Sequence, residues 1–318
     1  MRKQGYDKII GTYLSADHKT NITCFQYVPH GVDSENPPIA VVQIIHGMCD
    51  YTERYEPFIR FLTENNVVVC SADHIGHGRT AASEFDLGYF AEKDGDLLLV
   101  KDAFFFTKKL RMQYPQVPFF FFGHSMGSFI LRDLLVKYPI TAAGAIISGT
   151  GGPDMPFSAA KMIVKAIRAA KGSRYRSKTL WRLMFGAYNH KIDHPKTPYD
   201  WISSDPEVAA RFASDPKCAF CFTTAAMEDL VNLYARISRP EWAQSIGKDM
   251  PLLLIAGEED PVGNYGKGVQ TVFERLKAAK IRDLCCKLYP KARHELHNEL
   301  HKEQMMQDVL VWMKSRIE

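Results

Sequence analysis

The sequence Gly123-His124-Ser125-Met126-Gly127 is the strongest chemical signal in the chain. It follows an apolar run at residues 119–122 and precedes a helical pattern that extends to Tyr138. A serine at a tight turn from strand to helix adopts strained backbone angles, and glycines on both sides make room for that turn. The turn exposes the serine hydroxyl, so the pattern predicts Ser125 as a nucleophile.

A serine hydroxyl becomes reactive only when a base removes its proton and an acid orients that base. Both residue types follow Ser125 in the chain. Asp260 and His294 each come shortly after an apolar run with the length of a strand. Strand ends place such groups at the carboxyl edge of a parallel sheet. We therefore predict His294 as the base and Asp260 as the acid, with Glu258 or Glu259 as alternative acids.

Acyl transfer also needs N–H donors for the oxyanion, and backbone amides suit because they are fixed before the reaction begins. Met126, the residue after the serine, supplies one at a helix N-terminus. The loop His46-Gly47-Met48-Cys49-Asp50 follows another apolar run, and the N–H of Met48 is the second candidate. The alternative for this loop is an ordinary turn. The stretch at residues 73–79 is interpreted as a shaped turn without a catalytic role.

Alternating strand and helix patterns must position these residues. Buried strands are predicted at residues 39–45, 67–71, 119–122, 143–148, 251–256 and 285–289, after a hairpin at 8–14 and 22–28. Helices are predicted at 55–64, 96–114, 126–138, 266–279 and 298–317. Apolar runs that alternate with helices indicate a mostly parallel central sheet flanked by helices, which is an α/β fold.

This alternation stops after residue 153 and resumes at residue 251. The interval contains helical patterns near 158–170, 178–185, 206–213 and 223–237, and it is too long for a structureless loop. We expect an inserted helical cap over residues 151–247, with residues 1–150 and 248–318 forming the core.

Several motifs together resemble one family of enzymes. They are His46-Gly47, Asp73-x-x-Gly76-x-Gly78, Gly123-His124-Ser125-Met126-Gly127, Gly257-x-x-Asp260 and Ala292-Arg293-His294-Glu295. This set resembles the capped α/β-hydrolases of the monoacylglycerol lipase and bacterial lysophospholipase group. The resemblance implies an α/β-hydrolase fold and a serine esterase that uses Ser125, Asp260, His294, Met48 and Met126 without a cofactor. In these lipases the oxyanion loop usually reads His-Gly-x-Gly-Glu, whereas this chain has Cys49-Asp50 at its end.

Three other functions were weighed against an esterase. A zinc hydrolase would need H-E-x-x-H, but Asn298 occupies the second histidine position after His294. His297 and His301 are predicted to share a helix face, but they lack a third ligand. A serine aminopeptidase uses the same triad and would need acids from the cap that converge on an amine. The candidates are Asp193, Asp200, Asp205, Glu207, Asp215, Glu228 and Asp229. A non-catalytic binding module on the same fold is the third alternative, and it conflicts with the intact triad.

The cap carries two further patterns. A basic run without an intervening acid comprises Lys161, Lys165, Arg168, Lys171, Arg174, Arg176, Lys178 and Arg182. It is interpreted as a solvated helix face or as a surface that contacts anionic lipid. An apolar set comprises Trp181, Leu183, Met184, Phe185, Phe220, Phe222, Met227 and Leu230, and it forms an acyl pocket or the core of the cap.

The composition limits which binding partners and which cell compartment we expect for this protein. With 40 Lys and Arg against 36 Asp and Glu, the net charge is only +4, so nucleic acid is not an expected partner. The N-terminal residues 1–8 are polar and no apolar run approaches ~20 residues, so we expect a cytoplasmic protein without a membrane span. Seven scattered cysteines, including the Cys218-x-x-Cys221 pair, favour reduced core residues over disulfides. The expected partner is a small ester or lipid.

Overall fold

A computed structural model describes residues 5–33, 35–153 and 156–317 of the chain. Residues 1–4, which belong to the polar N-terminal segment, lie outside the described residues. The described part contains one sheet of eight strands in the order β1-β2-β4-β3-β5-β6-β7-β8. The first two strands pair antiparallel with each other, and β2 pairs antiparallel with β4; every other neighbouring pair is parallel. The predicted mostly parallel α/β sheet is confirmed.

The strands begin and end within one or two residues of the predicted bounds. They are β1 Tyr6–Leu14, β2 Asn21–Pro29, β3 Ala40–Ile45, β4 Val67–Ala72, β5 Phe119–His124, β6 Gly144–Ser148, β7 Leu252–Gly257 and β8 Leu284–Tyr289. Strands β3 to β7 are buried along their whole length, which is typical of parallel strands covered on both faces.

Helices cover both faces of the sheet. They are α1 Glu56–Glu64, α2 Gly95–Gln113, α3 Met126–Lys137, α4 Phe157–Lys171, α5 Lys178–Phe185, α6 Pro206–Ser214, α7 Thr224–Ile237, α8 Lys267–Ala278 and α9 Lys302–Lys314. Side chains alternate across a strand, so the phenylalanines of β5 supply both layers. Phe119 and Phe121 join the core that contains α2, α3 and α8, whereas Phe120 and Phe122 join the core beneath α1 and α9.

The last helix is shorter than the sequence predicts. Residues Leu296–Asn298 form a single 3₁₀ turn, and α9 begins only at Lys302. The predicted shared helix face of His297 and His301 is therefore wrong, because the two residues lie on different elements. His297 is buried against Tyr55, with ring centroids 4.2 Å apart, whereas His301 is exposed.

Four helices, α4 to α7, lie between β6 and β7 and are called the helical segment below. Buried charges attach this segment to the rest of the fold. The Arg236 guanidinium on α7 bonds the Asp96 carboxylate on α2 at 2.6 Å and Asp133 on α3 at 2.8 Å. Arg132 on α3 is fully buried and donates to the carbonyl oxygen of Ile237 at the end of α7, at 2.8 Å. Two long helices of the core are thus tied to one helix of the segment.

Asp229 on α7 is a buried carboxyl at the same junction. A Cβ built on Gly95, the first residue of α2, would lie 2.3 Å from its Oδ2 atom. Burial, followed by the charge of Asp96, raises the pKa of Asp229 to about 7. An unfolded aspartate titrates near ~3.9, so the folded state holds the proton more tightly than the unfolded state does between these two values. Stability is then lost as the pH rises from about 4 to about 7.

We expect the Asp229→Asn variant to be more stable than the native protein at pH 8, because it removes a buried carboxylate that is ionised there. The difference in melting temperature should reach roughly 3 °C or more at pH 8 and shrink at pH 5. Thermal unfolding at both pH values measures it. The exposed Asp249→Asn variant is the control. A difference that grows towards pH 5 would contradict the raised pKa.

Candidate active site

Ser125 lies at a sharp turn between β5 and α3, as the sequence predicts. Its backbone angles, φ 54° and ψ −124°, fall in a region that few non-glycine residues adopt. The turn requires glycine nearby, because a Cβ built on Gly127 would lie 1.9 Å from the carbonyl oxygen of Ile45. The N–H of Ser125 donates to the carbonyl oxygen of Ser148 on β6 at 3.0 Å. Neighbouring strands therefore hold the strained residue in place.

His294 and Asp260 are in direct contact at the carboxyl edge of the sheet. The Nδ1 atom of His294 lies 2.9 Å from Oδ2 of Asp260, and both residues are buried. The N–H of Val262 donates to the other carboxylate oxygen of Asp260 at 2.9 Å. Glu258 and Glu259, the alternative acids, are exposed. Of the three acids weighed from the sequence, Asp260 is the one that contacts the histidine.

The loop after β3 passes directly over Ser125. A Cβ built on Gly47 would lie 3.1 Å from Cβ of Ser125, so the next residue, Met48, is held beside the serine. Met48 and Ser125 line the same two cavities. Met126 is the first residue of α3, where backbone N–H groups have no partner within the helix. The structure thus brings both predicted oxyanion donors to the serine.

The carboxylate of Asp50 holds this loop in place through hydrogen bonds. Its carboxylate accepts the N–H of Gly47 at 3.3 Å, the N–H of Tyr51 at 2.9 Å and the hydroxyl of Tyr55 at 2.7 Å. Burial by itself would raise the pKa of Asp50, but the guanidinium of Arg54 outweighs burial and holds that pKa well below its usual range. Asp50 is therefore a permanent anion that fixes the shape of the oxyanion loop.

Arg54 joins the oxyanion loop to the histidine loop. Its guanidinium bonds Asp50 at 2.8 Å and binds the two carboxylate oxygens of Glu295 at 2.7 Å each. Glu295 directly follows His294 in the chain. Burial by itself would lower the pKa of Arg54, but the carboxylates of Glu295 and Asp50 raise it well above the ordinary value. The guanidinium also lies 4.7 Å from the ring centre of Phe212, on α6 of the helical segment.

Sequence reasoning missed Arg54 and Glu295. In the sequence, Glu295 belongs to the Ala292-Arg293-His294-Glu295 motif and to the incomplete zinc motif, and neither motif assigns it a role. Residues 54 and 295 are far apart in the chain, so their contact depends on how the 3₁₀ turn Thr52–Tyr55 and the histidine loop meet in the folded protein.

Neutral rings surround His294. Its ring centroid lies 4.7 Å from that of His124 and 5.1 Å from that of Trp201. His297 packs on the other side of His124, at 4.9 Å. Burial lowers the pKa of His297 to about 3 and lowers that of His124 well below its usual value. Both rings are uncharged at neutral pH, so they shape the site without opposing the formation of a charge on His294.

Two cavities meet at Ser125, and they differ in character. The first, of about 550 Å³, has apolar side chains and no charged group among its described lining residues. The second, of about 450 Å³, is lined by His294 and Glu295 and also by Lys178 and Arg182. Met48, Ser125, Phe185 and Trp201 line both cavities.

Helix α5 separates the two cavities. Leu180, Leu183 and Met184 lie on the face towards the first cavity. Lys178, Trp181 and Arg182 lie on the face towards the second. These positions repeat at three and four residues, so each set follows one face of the helix. The apolar set predicted for the cap is also divided. Leu183 and Met184 line the first cavity, whereas Phe222 and Met227 belong to the buried core.

The basic run is divided as well. Arg168 pairs with Glu228 at 2.8 Å, and Arg174 pairs with Asp86 at 3.3 Å. Arg176 donates to the carbonyl oxygen of Leu87 at 2.6 Å. Arg168 also pairs with Glu92 at 3.4 Å, so all three cations attach the helical segment to the loop that precedes α2. These three cations therefore have partners within the protein, and the predicted contact of the basic run with anionic lipid stays a prediction.

Three comparisons relate the chain to known proteins. The sequence profile of the family described as serine aminopeptidase, S33, matches residues 36–301. The human monoglyceride lipase is 25% identical over 307 residues, which are 92% of this chain and 92% of that protein. A monoacylglycerol lipase from Mycolicibacterium smegmatis is 26% identical over 287 residues, 89% of this chain and 91% of that protein.

Among solved structures, a highly thermostable carboxyl esterase from Bacillus coagulans, in complex with glycerol, is similar throughout. Its TM-score is 0.89 with 30% sequence identity, and the match covers 98% of this chain and 99% of that chain. The similarity includes the sheet and the helical segment, because nearly all of both chains is matched.

We expect the Arg54→Met variant to lose stability and turnover together, because it leaves Asp50 and Glu295 as buried carboxylates without a cation. Breaking a buried pair costs about 3–5 kcal/mol of unfolding free energy, and displacement of the oxyanion loop should lower kcat on the order of tenfold or more. Denaturant unfolding and steady-state kinetics with a p-nitrophenyl ester measure the two effects.

The Arg60→Met variant is the matched control, since Arg60 lies nearby on α1 and forms an exposed pair with Glu56. The double variant Arg54→Met/Glu295→Gln should regain part of the unfolding free energy, because one unpaired charge is removed. Its kcat should stay low, because the two loops remain unlinked. Recovery of kcat in step with stability would show that Arg54 has only a structural role.

Proposed function

Because this chain belongs to the serine aminopeptidase S33 family of α/β-hydrolases, we propose that Ser125, His294 and Asp260 hydrolyse monoacylglycerol- or lysophospholipid-like esters. The chain is a serine hydrolase that acts on carboxylic esters. One observation carries the proposal for the site: a serine on a strained turn and a histidine bonded to a buried aspartate line the same cavity. The relatives named monoglyceride lipase match almost the whole chain, which supports the substrate class.

The proposed reaction has two steps. His294 takes the proton of Ser125 through Nε2, while Asp260 holds Nδ1 and stabilises the imidazolium that forms. The serine oxygen attacks the ester carbonyl, and the N–H groups of Met48 and Met126 bind the oxyanion. The alcohol leaves with the proton from His294. Water then attacks the acyl-enzyme by the same route and releases the fatty acid.

The first cavity suits an acyl chain. It begins at Ser125 and continues between apolar side chains of the core, such as Phe129, and of the helical segment, such as Leu183 and Leu230. Apolar lining stabilises each methylene that enters it by roughly 0.8 kcal/mol. The second cavity, which contains His294, is then left for the alcohol, because the base must also protonate the leaving oxygen.

Aminopeptidase action, the alternative on the same fold, is less well supported. A free amino group would need a carboxylate in the site. Among the described residues, Glu295 is the one acid that lines either cavity, and Arg54 already binds both of its oxygens. The acids considered from the sequence, Asp193, Asp200, Asp205, Glu207, Asp215, Glu228 and Asp229, line neither cavity.

We also propose that residues 151–247 act as a cap over a core of residues 1–150 and 248–318, and that the cap meets lipid. Exposed Met162, Ile163 and Leu183 support this contact, and the last two also line the first cavity. Within the described part of the chain, no helix has both the length and the apolar character for a membrane span. Free thiols at all seven cysteines suit the reducing cytoplasm proposed from the sequence.

We expect Ser125→Ala, His294→Ala and Asp260→Asn each to lower ester hydrolysis on the order of ten thousand-fold, because the three groups act as a unit. Steady-state kinetics and labelling with a fluorophosphonate probe measure this. Glu259→Gln is the control and should keep near-normal turnover. A native protein that the probe fails to label would instead favour a non-catalytic binding module.

The length of the substrate's acyl chain tests whether the first cavity binds that chain. For p-nitrophenyl acetate, octanoate and laurate, kcat/KM should rise with length until the cavity is full. Ala160→Trp, which places a large ring in the first cavity, should lower the ratio of laurate to acetate activity. Ala170→Trp makes the same change at an exposed position of α4 and should keep the ratio. Preference for acetate in the native protein would contradict an acyl cavity.

A further inference from the structure

Two positive charges at the second cavity have no carboxylate partner among the residues that the structure describes. Lys178 and Arg182 lie one turn apart on α5, both exposed, and both line this cavity with His294. Among the described residues, no carboxylate forms an ion pair with either of them, whereas Arg168 and Arg174 of the same basic run are paired. The one carboxylate on the cavity wall, Glu295, is bound by Arg54.

Both charged side chains are exposed and also belong to the lining of the second cavity. Trp181, between them in sequence, lines the same cavity, so this face of α5 is the cavity wall. The positive charge of Lys178 opposes the rise that burial causes in the pKa of Cys221, another side chain of this wall. Like charges four residues apart on a helix repel each other, so the helix alone gains nothing from this arrangement.

An anion between Lys178 and Arg182 would remove that repulsion. A guanidinium binds phosphate through two parallel N–H groups, and an ammonium adds a point charge. On the proposed division of the cavities, a group in this position belongs to the alcohol half of the ester, on the side of His294. The neutral first cavity offers nothing to such a group.

We propose that the preferred substrate is an ester whose alcohol carries a phosphate, such as a 1-acylglycerol 3-phosphate, and that Lys178 and Arg182 bind this phosphate while the acyl chain fills the first cavity. This inference rests on the proposed ester hydrolysis and specifies its leaving group. Neutral monoacylglycerols then fit the same site without the charge contact.

The test compares two esters that differ in the phosphate alone, 1-octanoylglycerol and 1-octanoylglycerol 3-phosphate, at concentrations where both are monomeric. Monomers exclude any effect of a charged lipid surface. The native protein should hydrolyse the phosphate ester with a kcat/KM about tenfold higher, because a charged hydrogen bond has that order of effect. The double variant Lys178→Gln/Arg182→Gln should lose this preference through a higher KM for the phosphate ester.

The double variant Lys161→Gln/Lys171→Gln is the matched control. It removes two exposed cations from α4, outside both cavities, and should keep the native ratio of the two esters. Equal activity of the native protein on both esters would overturn the proposal, and so would an equal loss of preference in the control. Hydrolysis of neither ester would instead contradict the proposed function, so the two failures are distinguishable.

Discussion

The contact of Arg54 with Asp50 and Glu295 is the interaction on which the geometry of the site depends. Ester hydrolysis by a serine needs the oxyanion donors and the base in fixed positions relative to one carbonyl carbon, and here they come from distant loops. One guanidinium, with a side chain only 11% exposed, binds the carboxylate at the end of one loop and the carboxylate beside His294 on the other. Their mutual attraction offsets the cost of burying these charges only while all three groups are present. Loss of any one of them would therefore separate the two loops.

Helix α5 adds a second constraint, which concerns the substrate. A single helix has two long faces, and here one face is apolar and the other cationic, with Ser125 at the junction of the cavities that they line. An ester has the same asymmetry, with a hydrocarbon chain on one side of the carbonyl and an oxygen-rich alcohol on the other. On the proposed assignment, the acyl chain lies in the uncharged cavity and the alcohol in the cavity with Lys178 and Arg182, and this arrangement orients the bound ester.

The strands and the Ser125 turn could be predicted from the sequence, because both are local features. Continuous apolar runs mark buried parallel strands, and the glycines of the Ser125 turn reflect a close backbone approach. The contacts of Arg54 and the division of the basic run could not be predicted. They depend on which residues meet across the fold, as when Arg168 reaches Glu228, sixty positions away. The sequence shows how many cations a segment contains, but it does not show which of them are paired in the folded protein.

The order of the strands explains why the site also needs a residue without a side chain. Ser125 follows β5 and Asp260 follows β7, but β6 lies between them in the sheet, so His294 must cross above the end of β6 to connect the two. That end is Gly149, with φ 58°, and a Cβ there would lie 3.1 Å from the imidazole of His294. A side chain at this position would both strain the backbone and press on the ring. The glycine therefore leaves room for the His294 ring beside Asp260.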